Sequence, residues 1–317
     1  MRFAFILDPM ESLKAYKDSS IAMMRAARNA RHEIWCIYQP AIFWSESDGV
    51  CAEAVHLDVR DDDVDWVFRL ERRMFPLSEF SAVVLRKDPP FDIEYIAMTW
   101  LLERAEAQGA RVFNRPRALR DHSEKLALLE FQHFSVPAIV ARAPGTIHAF
   151  IDEHRDVVLK PLDGMGGSRI FRVRNDDPNR NVIVETLTQD AERTIIAQCY
   201  IPAIVDGDKR ILLINGQVVP YCLARIPKAG ETRGNLAAGG TGVARALTAR
   251  DREIAEYLAP ILAARGLFLV GIDVIGDFLT EINVTSPTCM VEIAAQTGFD
   301  VAGAFIAAME KECTLPA

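Results

Sequence analysis

The sequence predicts an α/β fold whose first domain contains a doubly wound, parallel sheet. Residues 2–7 are apolar at most positions, which predicts a buried first strand. A helix is predicted over Ile21–Arg28, with Asp18 or Ser19 as its N-cap, and a second strand over residues 33–38. A β-α-β unit at the start of a chain places its two strands parallel in one sheet.

The composition excludes several classes of protein. The 317 residues suffice for two or three domains, and the net charge of −8 without a long basic block argues against nucleic-acid binding. No apolar run approaches the roughly 20 residues of a membrane span, and the N-terminal run is too short for a signal peptide. The cysteines form no C-x-x-C pair, which suits reduced thiols, so we expect a cytoplasmic protein.

The rest of the first domain carries one candidate ligand-binding residue. Residues 43–75 are β-rich and polar, and a strand over Ala82–Leu85 ends at Arg86. Open α/β sheets bind ligands beyond the carboxyl ends of their strands, so Arg86 is a candidate to bind a substrate carboxylate. The same sequence pattern would also occur if Arg86 were an ordinary surface arginine in a proline-rich loop. A helix over Tyr95–Gln108 and a strand over Arg111–Asn114 complete the domain.

A glycine-rich turn follows the next group of elements. The pattern predicts a helix from Ser123 with Lys125 in its first turn, a strand over Phe134–Ala141, a helix over Thr146–His154 and a strand over Val157–Lys160. In the turn, Gly164, Gly166 and Gly167 allow backbone N–H groups to converge on an anion. Lys160 precedes the glycines, so the segment is no Walker P-loop, and we expect a hairpin that folds over phosphates. An ordinary β-turn would also account for the glycines.

Two further segments place polar groups beside strands. Residues 197–202 follow a strand, and the exposed backbone of such a hinge can hydrogen-bond an adenine edge. Apolar runs on both sides of Asn215-Gly216 predict a β-hairpin. Arg210 and Arg225 lie near the ends of this hairpin, where both can contact one carboxylate or phosphoryl group.

Residues 226–243 form a long glycine-rich segment with almost no large apolar side chains. A loop of this length inside a compact domain is usually a lid or disordered. Because Arg233 and Asn235 offer polar contacts, we expect a lid that excludes water from a reactive intermediate. A helix over Ala249–Arg265 follows and ends at Gly266.

Residues 268–289 carry the most distinctive set of side chains, in a predicted hairpin around a Gly-Asp turn. Asp273 lies on the first strand, and Glu281 and Asn283 lie two residues apart on the second, so both project from one face. Carboxylate and amide oxygens suit a hard cation such as Mg²⁺, although an ordinary half-exposed strand also has polar residues on one face. The loop that leaves the hairpin offers hydroxyl and N–H groups to a small substrate at Ser286, Pro287 and Thr288.

Five longer strings are specific when taken together. They are R-K-D-P-P-F-D (86–92), K-P-L-D-G-M-G-G (160–167), P-Y-C-L-A-R-I-P (220–227), E-T-R-G-N-L-A-A-G-G (231–240) and L-T-E-I-N-V-T-S-P-T-C (279–289). In order and spacing they resemble the bacterial glutathione synthetases, an ATP-grasp family, over essentially the whole chain. Thr241 is a departure, because a basic residue is expected there in the lid.

The resemblance implies three structural parts: a doubly wound domain over residues 1–122 and two α+β lobes of an ATP-grasp fold over residues 123–200 and 201–317, the second with the lid at 226–242. It also implies residue roles. The phosphates of ATP would be held by Lys125, Lys160, Gly164, Met165, Gly166 and Gly167, the adenine by Gln198, Tyr200 and Ile201, and the ribose by Asp208. Mg²⁺, or Mn²⁺ in its place, would be bound by Asp273, Glu281 and Asn283. The reacting carboxyl group would be stabilised by Arg210, Arg225, Arg233 and Asn235.

The activity that the resemblance implies is the ATP-dependent ligation of glycine to γ-glutamylcysteine. ATP would phosphorylate the cysteinyl carboxylate, and the amine of glycine would attack the acyl phosphate to give glutathione, ADP and phosphate. Neither step needs a protein nucleophile, in agreement with the lack of a Ser-His-Asp or Cys-His set in the sequence. The resemblance also implies a homo-oligomer, a tetramer.

Two alternatives stay open. One is another ATP-grasp ligase, for example one that joins D-alanines or adds glutamate to a protein tail, and the strings at 86–92 and 231–240 argue against it. The other is a nucleotide-binding module without catalysis. The intact metal ligands, together with Lys125 and Lys160, argue against that module.

Overall fold

The computed structural model describes residues 1–164, 166–231, 233–236 and 239–315, and the strands within these ranges form three sheets. The strands are β1 (Arg2–Leu7), β2 (Glu33–Ser45), β3 (Gly49–Val59), β4 (Val67–Pro76), β5 (Ala82–Leu85), β6 (Val112–Phe113), β7 (Ala138–Ala141), β8 (Asp156–Pro161), β9 (Phe171–Arg174), β10 (Ile195–Cys199), β11 (Asp208–Ile214), β12 (Gln217–Ile226), β13 (Thr241–Ala246), β14 (Leu269–Ile275) and β15 (Phe278–Asn283). The α-helices are α1 (Ser19–Asn29), α2 (Ile93–Ala107), α3 (Pro116–Asp121), α4 (Pro144–His154), α5 (Arg180–Thr188), α6 (Ala249–Ala264), α7 (Met290–Thr297) and α8 (Val301–Thr314).

The first sheet has the strand order β4-β3-β2-β1-β5-β6. Its β1, β2, β5 and β6 pair in parallel, as the β-α-β pattern predicts, and β3 and β4 extend it antiparallel through the polar, β-rich segment. Helix α1 begins where predicted, because the Asp18 carboxylate accepts hydrogen bonds from the backbone N–H groups of Ser20 (2.7 Å) and Ile21 (3.0 Å). The predicted doubly wound domain is therefore confirmed.

The two faces of this sheet are covered by helices from distant parts of the chain. On one face, Trp35 and Ile37 share a core with Leu102 of α2. On the other face, Phe3 and Phe5 share a core with helix α1 and with the chain's last helix, α8. The end of the chain therefore packs against its beginning.

The second and third sheets are antiparallel and lie in succession along the chain. The second has the order β7-β10-β8-β9 and is covered by α4 and α5, and the third has the order β13-β12-β11-β14-β15 and packs against α6. The hairpin predicted at Asn215-Gly216 joins β11 and β12, and the last predicted hairpin is β14–β15.

The helix predicted after Ser123 differs in type from the helix in the structure. After Ser123 the chain forms 3-10 turns over Leu126–Phe134 that are interrupted by a kink at Phe131, whose φ of −119° and ψ of 39° are non-helical, and the following strand begins only at Ala138. Short 3-10 turns on both sides of a kink therefore replace the continuous helix that was predicted.

By length and composition, no single helix in the described part of the chain could cross a membrane. Helices α7 and α8 would meet those criteria only if they were joined, and they are bent by 118° relative to each other.

Asn114 connects the first domain to the last hairpin. Its buried side chain donates to the carbonyl oxygens of Leu269 and Val284 (2.8 Å each) and accepts from the N–H of Leu269 (2.7 Å). The backbone groups of Leu269 and Val284 are buried, so if the amide were removed, neither residue would find a replacement partner in water.

Asn114→Ala is therefore expected to lower the free energy of unfolding by about 2–4 kcal/mol. Urea denaturation followed by circular dichroism would measure the change. Asn181→Ala, at an exposed position of α5, is the matched control and should be neutral within about 0.5 kcal/mol. Equal midpoints for the two variants would contradict the connecting role of Asn114.

Candidate active site

A cavity of about 310 Å³ lies where the second and third sheets face each other, beside the loop that follows β5. Nearly all the residues predicted from the sequence line it. They are Lys125, Lys160, Gly164, Gly166, Gly167, Gln198, Tyr200, Ile201, Asp208, Arg210, Arg225, Arg233, Asn235, Asp273, Glu281, Asn283, Ser286, Pro287 and Thr288. Met165, the remaining residue of the predicted glycine turn, lies outside the described residues.

The charged centre of the cavity is Asp273, held between two arginines. Its carboxylate is 2.5 Å from Nε of Arg210 and 2.8 Å from Nη2 of Arg225, and all three side chains are buried. Burial alone would raise the pKa of Asp273, but the two guanidinium groups lower it well below its ordinary value. The cross-strand pairing of Arg210 with Asp273 brings these residues together, so the sequence prediction that both arginines reach one site agrees with their positions.

Asp208 is the second carboxylate beside Arg225. Its Oδ2 lies 2.5 Å from Nη2 of Arg225, and its buried Oδ1 has no hydrogen-bond partner among the described residues. Burial raises the pKa of Asp208 to about 6, although Arg225 opposes the rise. Its unpaired oxygen can therefore accept a hydrogen bond from a ligand.

The three predicted metal ligands lie side by side. Asp273 and Glu281 are directly opposite each other on β14 and β15, and Nδ2 of Asn283 lies 3.2 Å from Oδ2 of Asp273. Because that amide nitrogen faces Asp273 and the carbonyl of Gly271, the amide oxygen of Asn283 remains for a cation. Two carboxylates and an amide oxygen fit Mg²⁺, which often takes few protein ligands and completes its shell with phosphate oxygens and water. Within the described residues, no cluster of three Asp, Glu, His or Cys side chains is suited to bind a metal.

Two lysines extend the positive charge toward the glycine turn. Nζ of Lys125 donates to the Gly164 carbonyl (2.7 Å) and lies 3.0 Å from Glu281. Burial alone would lower the pKa of Lys125, but the nearby Glu281 carboxylate raises it. Lys160 makes no ion pair with any residue that the structure describes, and burial lowers its pKa. An unneutralised cation in a cavity suits an anionic ligand.

The glycine turn and the predicted lid touch each other. Nη1 of Arg233 donates to the carbonyl of Gly167 (3.3 Å), and Nη2 of Arg233 pairs with Glu231 (2.7 Å). Gly167 has φ +81°, and a Cβ there would lie 2.6 Å from Oδ1 of Asn235. Only glycine suits both this backbone conformation and the close approach of the two loops.

The predicted hinge forms the less polar end of the cavity. Gln198 is buried, and its Nε2 has no hydrogen-bond partner in the described part of the chain. The Arg172 guanidinium lies 3.5 Å from the centroid of the Tyr200 ring, and Ile201 and Val158 supply apolar wall. An unpaired amide donor beside apolar side chains can recognise a flat heteroaromatic ring that bears acceptor nitrogens.

Arg86 does not line the cavity, so its contact with a substrate carboxylate stays a prediction. It is buried behind the loop that follows β15, where Nε donates to Oγ of Ser20 (3.0 Å) and Nη2 donates to the carbonyl of Pro287 (2.9 Å). Two residues of the segment after β5 line the cavity, Asp88 and Pro89, and the Asp88 carboxylate accepts a hydrogen bond from Ser286. Through its hydrogen bond to the Pro287 carbonyl, Arg86 supports the loop from outside the cavity.

Glu124 is a site residue that the sequence analysis missed. It lines the cavity, and its Oε1 accepts hydrogen bonds from Val284 N (2.8 Å), Thr285 N (3.1 Å) and Thr285 Oγ1 (3.0 Å). Burial and the neighbouring Glu281 raise its pKa. Its partners lie about 160 residues away in sequence, so no local pattern could have revealed this role.

The chain is similar to known proteins over most of its length. Two family models match the chain, the N-terminal domain of prokaryotic glutathione synthetase over residues 1–120 and its ATP-grasp domain over residues 124–298. The glutathione synthetase of Ralstonia nicotianae is 56% identical over 311 residues, with 98% of this chain and 96% of the relative covered. That of Nitrosomonas europaea is 57% identical over 313 residues, with 98% of both chains covered.

Solved structures agree on the fold. D-cycloserine synthetase DcsG has a TM-score of 0.66 at 17% identity, covering 99% of this chain and 100% of its own. The ATP-grasp ligase PsnB, in a complex with minimal precursor, Mg and ADP, has a TM-score of 0.63 at 16% identity, covering 99% and 98%. The predicted ATP-grasp fold is thereby confirmed. Because both family models match in sequence and together span most of the chain, it belongs to the prokaryotic glutathione synthetase family.

Proposed function

We propose that this ATP-grasp ligase joins glycine to the cysteinyl carboxylate of γ-glutamylcysteine, with release of ADP and phosphate. The observation that carries the proposal is one cavity that combines a strongly cationic end with a wall of oxygen ligands. This cavity lies in a chain that is 56% identical, over nearly its full length, to a protein named glutathione synthetase.

ATP would occupy the cavity lengthwise. The adenine would lie at the hinge, where Nε2 of Gln198 has no hydrogen-bond partner among the described residues, and Oδ1 of Asp208 would accept from a ribose hydroxyl. The phosphates would lie between Lys160, Lys125 and the glycine turn, where cationic side chains and backbone N–H groups converge.

The residues present fit Mg²⁺, or Mn²⁺ in its place, and Asp273, Glu281 and Asn283 would hold it. When bound, the cation would neutralise phosphate charge.

Arg210 and Arg225 would stabilise the reacting carboxyl group. The substrate carboxylate attacks the γ-phosphorus and ADP leaves; the glycine nitrogen then attacks the acyl carbon and inorganic phosphate leaves. Negative charge builds up on oxygen in both steps, and these two guanidinium groups already lie within one cavity beside Asp273. Catalysis then consists of positioning and charge stabilisation, without a protein nucleophile.

The activity is tested directly by mixing the purified chain with ATP, Mg²⁺, γ-glutamylcysteine and glycine. Release of ADP that depends on glycine, with formation of glutathione, supports the proposal. Release of ADP only with D-alanine as the acceptor would replace it with a D-alanine ligase. Binding of ATP without turnover of any acceptor would favour a nucleotide-binding module.

The lid has its own test. Arg233→Ala removes the hydrogen bond between the lid and the Gly167 carbonyl, so water should reach the acyl phosphate more often and more ADP should form per glutathione. We expect the ratio of ADP to glutathione to rise about two- to tenfold. Arg104→Ala, the same change at an exposed position of α2, is the matched control. A ratio equal to that of the parent chain would argue against a water-excluding role.

The remaining expectations are proposals with partial support. The three sheets fall one each within residues 1–122, 123–200 and 201–317, which supports the proposed domain limits. All six cysteines are free thiols, which supports the proposed location in a reducing cytoplasm. A homo-oligomer is proposed on the resemblance alone.

A further inference from the structure

The residues after β15, from Val284 to Thr288, form a loop without regular secondary structure, here called the β15 loop. All of them except Val284 line the cavity. The loop also lies close to Arg210, because a Cβ on Gly271 would be 2.8 Å from Cδ of Arg210 and 3.0 Å from Cβ of Pro287. The position of the β15 loop therefore determines how a substrate approaches Arg210.

The first domain holds the later part of the β15 loop. Nη2 of Arg86 donates to the Pro287 carbonyl (2.9 Å), and the Ser286 hydroxyl donates to the Asp88 carboxylate. A loop backbone has no helix or strand ladder to satisfy its N–H and C=O groups, so contacts of this kind fix its position. The start of the loop needs a separate contact, since these two lie at residues 286 and 287.

Glu124 supplies the contact at the start of the loop. One carboxylate oxygen, Oε1, accepts hydrogen bonds from the N–H of Val284 (2.8 Å), the N–H of Thr285 (3.1 Å) and the hydroxyl of Thr285 (3.0 Å). The backbone carbonyl of Glu124 accepts a further bond from the N–H of Ile282 (3.0 Å). Glu124 thus holds the chain on both sides of Asn283.

The neighbouring Lys125 holds the glycine turn. Its Nζ donates to the Gly164 carbonyl (2.7 Å) and lies 3.0 Å from the Glu281 carboxylate. Consecutive Cα atoms are about 3.8 Å apart across a trans peptide bond. Glu124 and Lys125 therefore connect the β15 loop to the glycine turn through a link of fixed length.

We propose that Glu124 is a positioning residue, which holds the β15 loop at the distance from the nucleotide phosphates that the reaction requires. The inference rests on the proposed function, in which the phosphates lie at the glycine turn and the reacting carboxyl group of γ-glutamylcysteine lies at Arg210. A displaced β15 loop would weaken the binding of γ-glutamylcysteine and leave the nucleotide site intact. The role is carried by hydrogen bonding to one oxygen, Oε1, rather than by charge.

Two substitutions separate the hydrogen bonds from the charge. Glu124→Ala removes the acceptor, so KM for γ-glutamylcysteine should rise about tenfold or more. KM for ATP should stay within about twofold, because Lys125 keeps its contacts. Glu124→Gln keeps an oxygen acceptor in the same place, so its KM for γ-glutamylcysteine should stay within about threefold of that of the parent chain. Steady-state kinetics would measure each KM, and a general loss of stability would not raise one KM selectively.

Hydrogen exchange tests the contact without the reaction. The N–H groups of Val284 and Thr285 should exchange about tenfold faster or more in Glu124→Ala and at the parent rate in Glu124→Gln. Mass spectrometry of peptides from the full-length chain would measure both rates. A parent chain that makes no glutathione would refute the proposed function, and the exchange rates would still decide whether Glu124 holds the β15 loop.

Glu130→Ala is the matched control, because it makes the same change at an exposed position whose carboxylate pairs with Arg265 at the surface (2.5 Å). It should leave both KM values and both exchange rates unchanged. Circular dichroism would verify that each variant is folded. Unchanged exchange in Glu124→Ala, an equal rise in KM for ATP and for γ-glutamylcysteine, or a Glu124→Gln variant as impaired as Glu124→Ala would each overturn the proposal.

Discussion

Asp273→Asn is expected to abolish measurable ligase activity and to lower the free energy of unfolding by about 3–5 kcal/mol. The substitution keeps the volume of the side chain but removes the only charge that it carries. Arg210 and Arg225 would then face each other in a buried site without the carboxylate that both contact. The expected loss is large because Arg210 would become an uncompensated buried charge, although Arg225 would keep its contact with Asp208.

Steady-state kinetics and urea denaturation would measure the two effects of Asp273→Asn separately. Asp277→Asn makes the same chemical change in the exposed turn of the same hairpin, so it controls for the substitution itself. If Asp273→Asn unfolded at the same urea concentration as Asp277→Asn, the central electrostatic role of Asp273 would be refuted.

Glu281→Gln is expected to lower kcat by about 100-fold or more while the free energy of unfolding changes by less than about 1 kcal/mol. The side chain of Glu281 is 24% exposed, so the fold depends on it less than on Asp273. A neutral amide oxygen binds a divalent cation more weakly than a carboxylate, and the concentration of Mg²⁺ needed for half-maximal activity should rise.

The substitution also removes the ion pair between Glu281 and Lys125, and Lys125→Met separates the two causes. That variant breaks the same pair but keeps the carboxylate, so it should raise KM for ATP without changing the requirement for Mg²⁺. A requirement for Mg²⁺ that is the same in Glu281→Gln as in the parent chain would remove Glu281 from the proposed metal site.

Short-range patterns predicted much of the fold. Asn215-Gly216 between apolar runs predicted the β11–β12 hairpin, and the alternation in residues 268–289 predicted that Glu281 and Asn283 share one face. The signals for such features lie within a few residues, because turn geometry and side-chain alternation are local properties of the backbone.

Features that depend on distant contacts were not visible in the sequence. Glu124 accepts hydrogen bonds from the backbone that follows β15, and Arg86 donates a hydrogen bond to the carbonyl of Pro287 in the same loop. Both contacts form only after the sheets have packed together. The kink at Phe131 within Leu126–Phe134 was not visible either, because tertiary packing can override the helix propensity of a segment.

The packing of α8 on the first sheet has a consequence for the synthesis of the chain. Phe3 and Phe5 are made long before Phe305 and Met309, which belong to the same core. The first sheet can pair its strands early, but one of its apolar faces stays partly uncovered until α8 has been made. The growing chain therefore depends on a helix that is distant in sequence to bury hydrophobic surface that it exposes early.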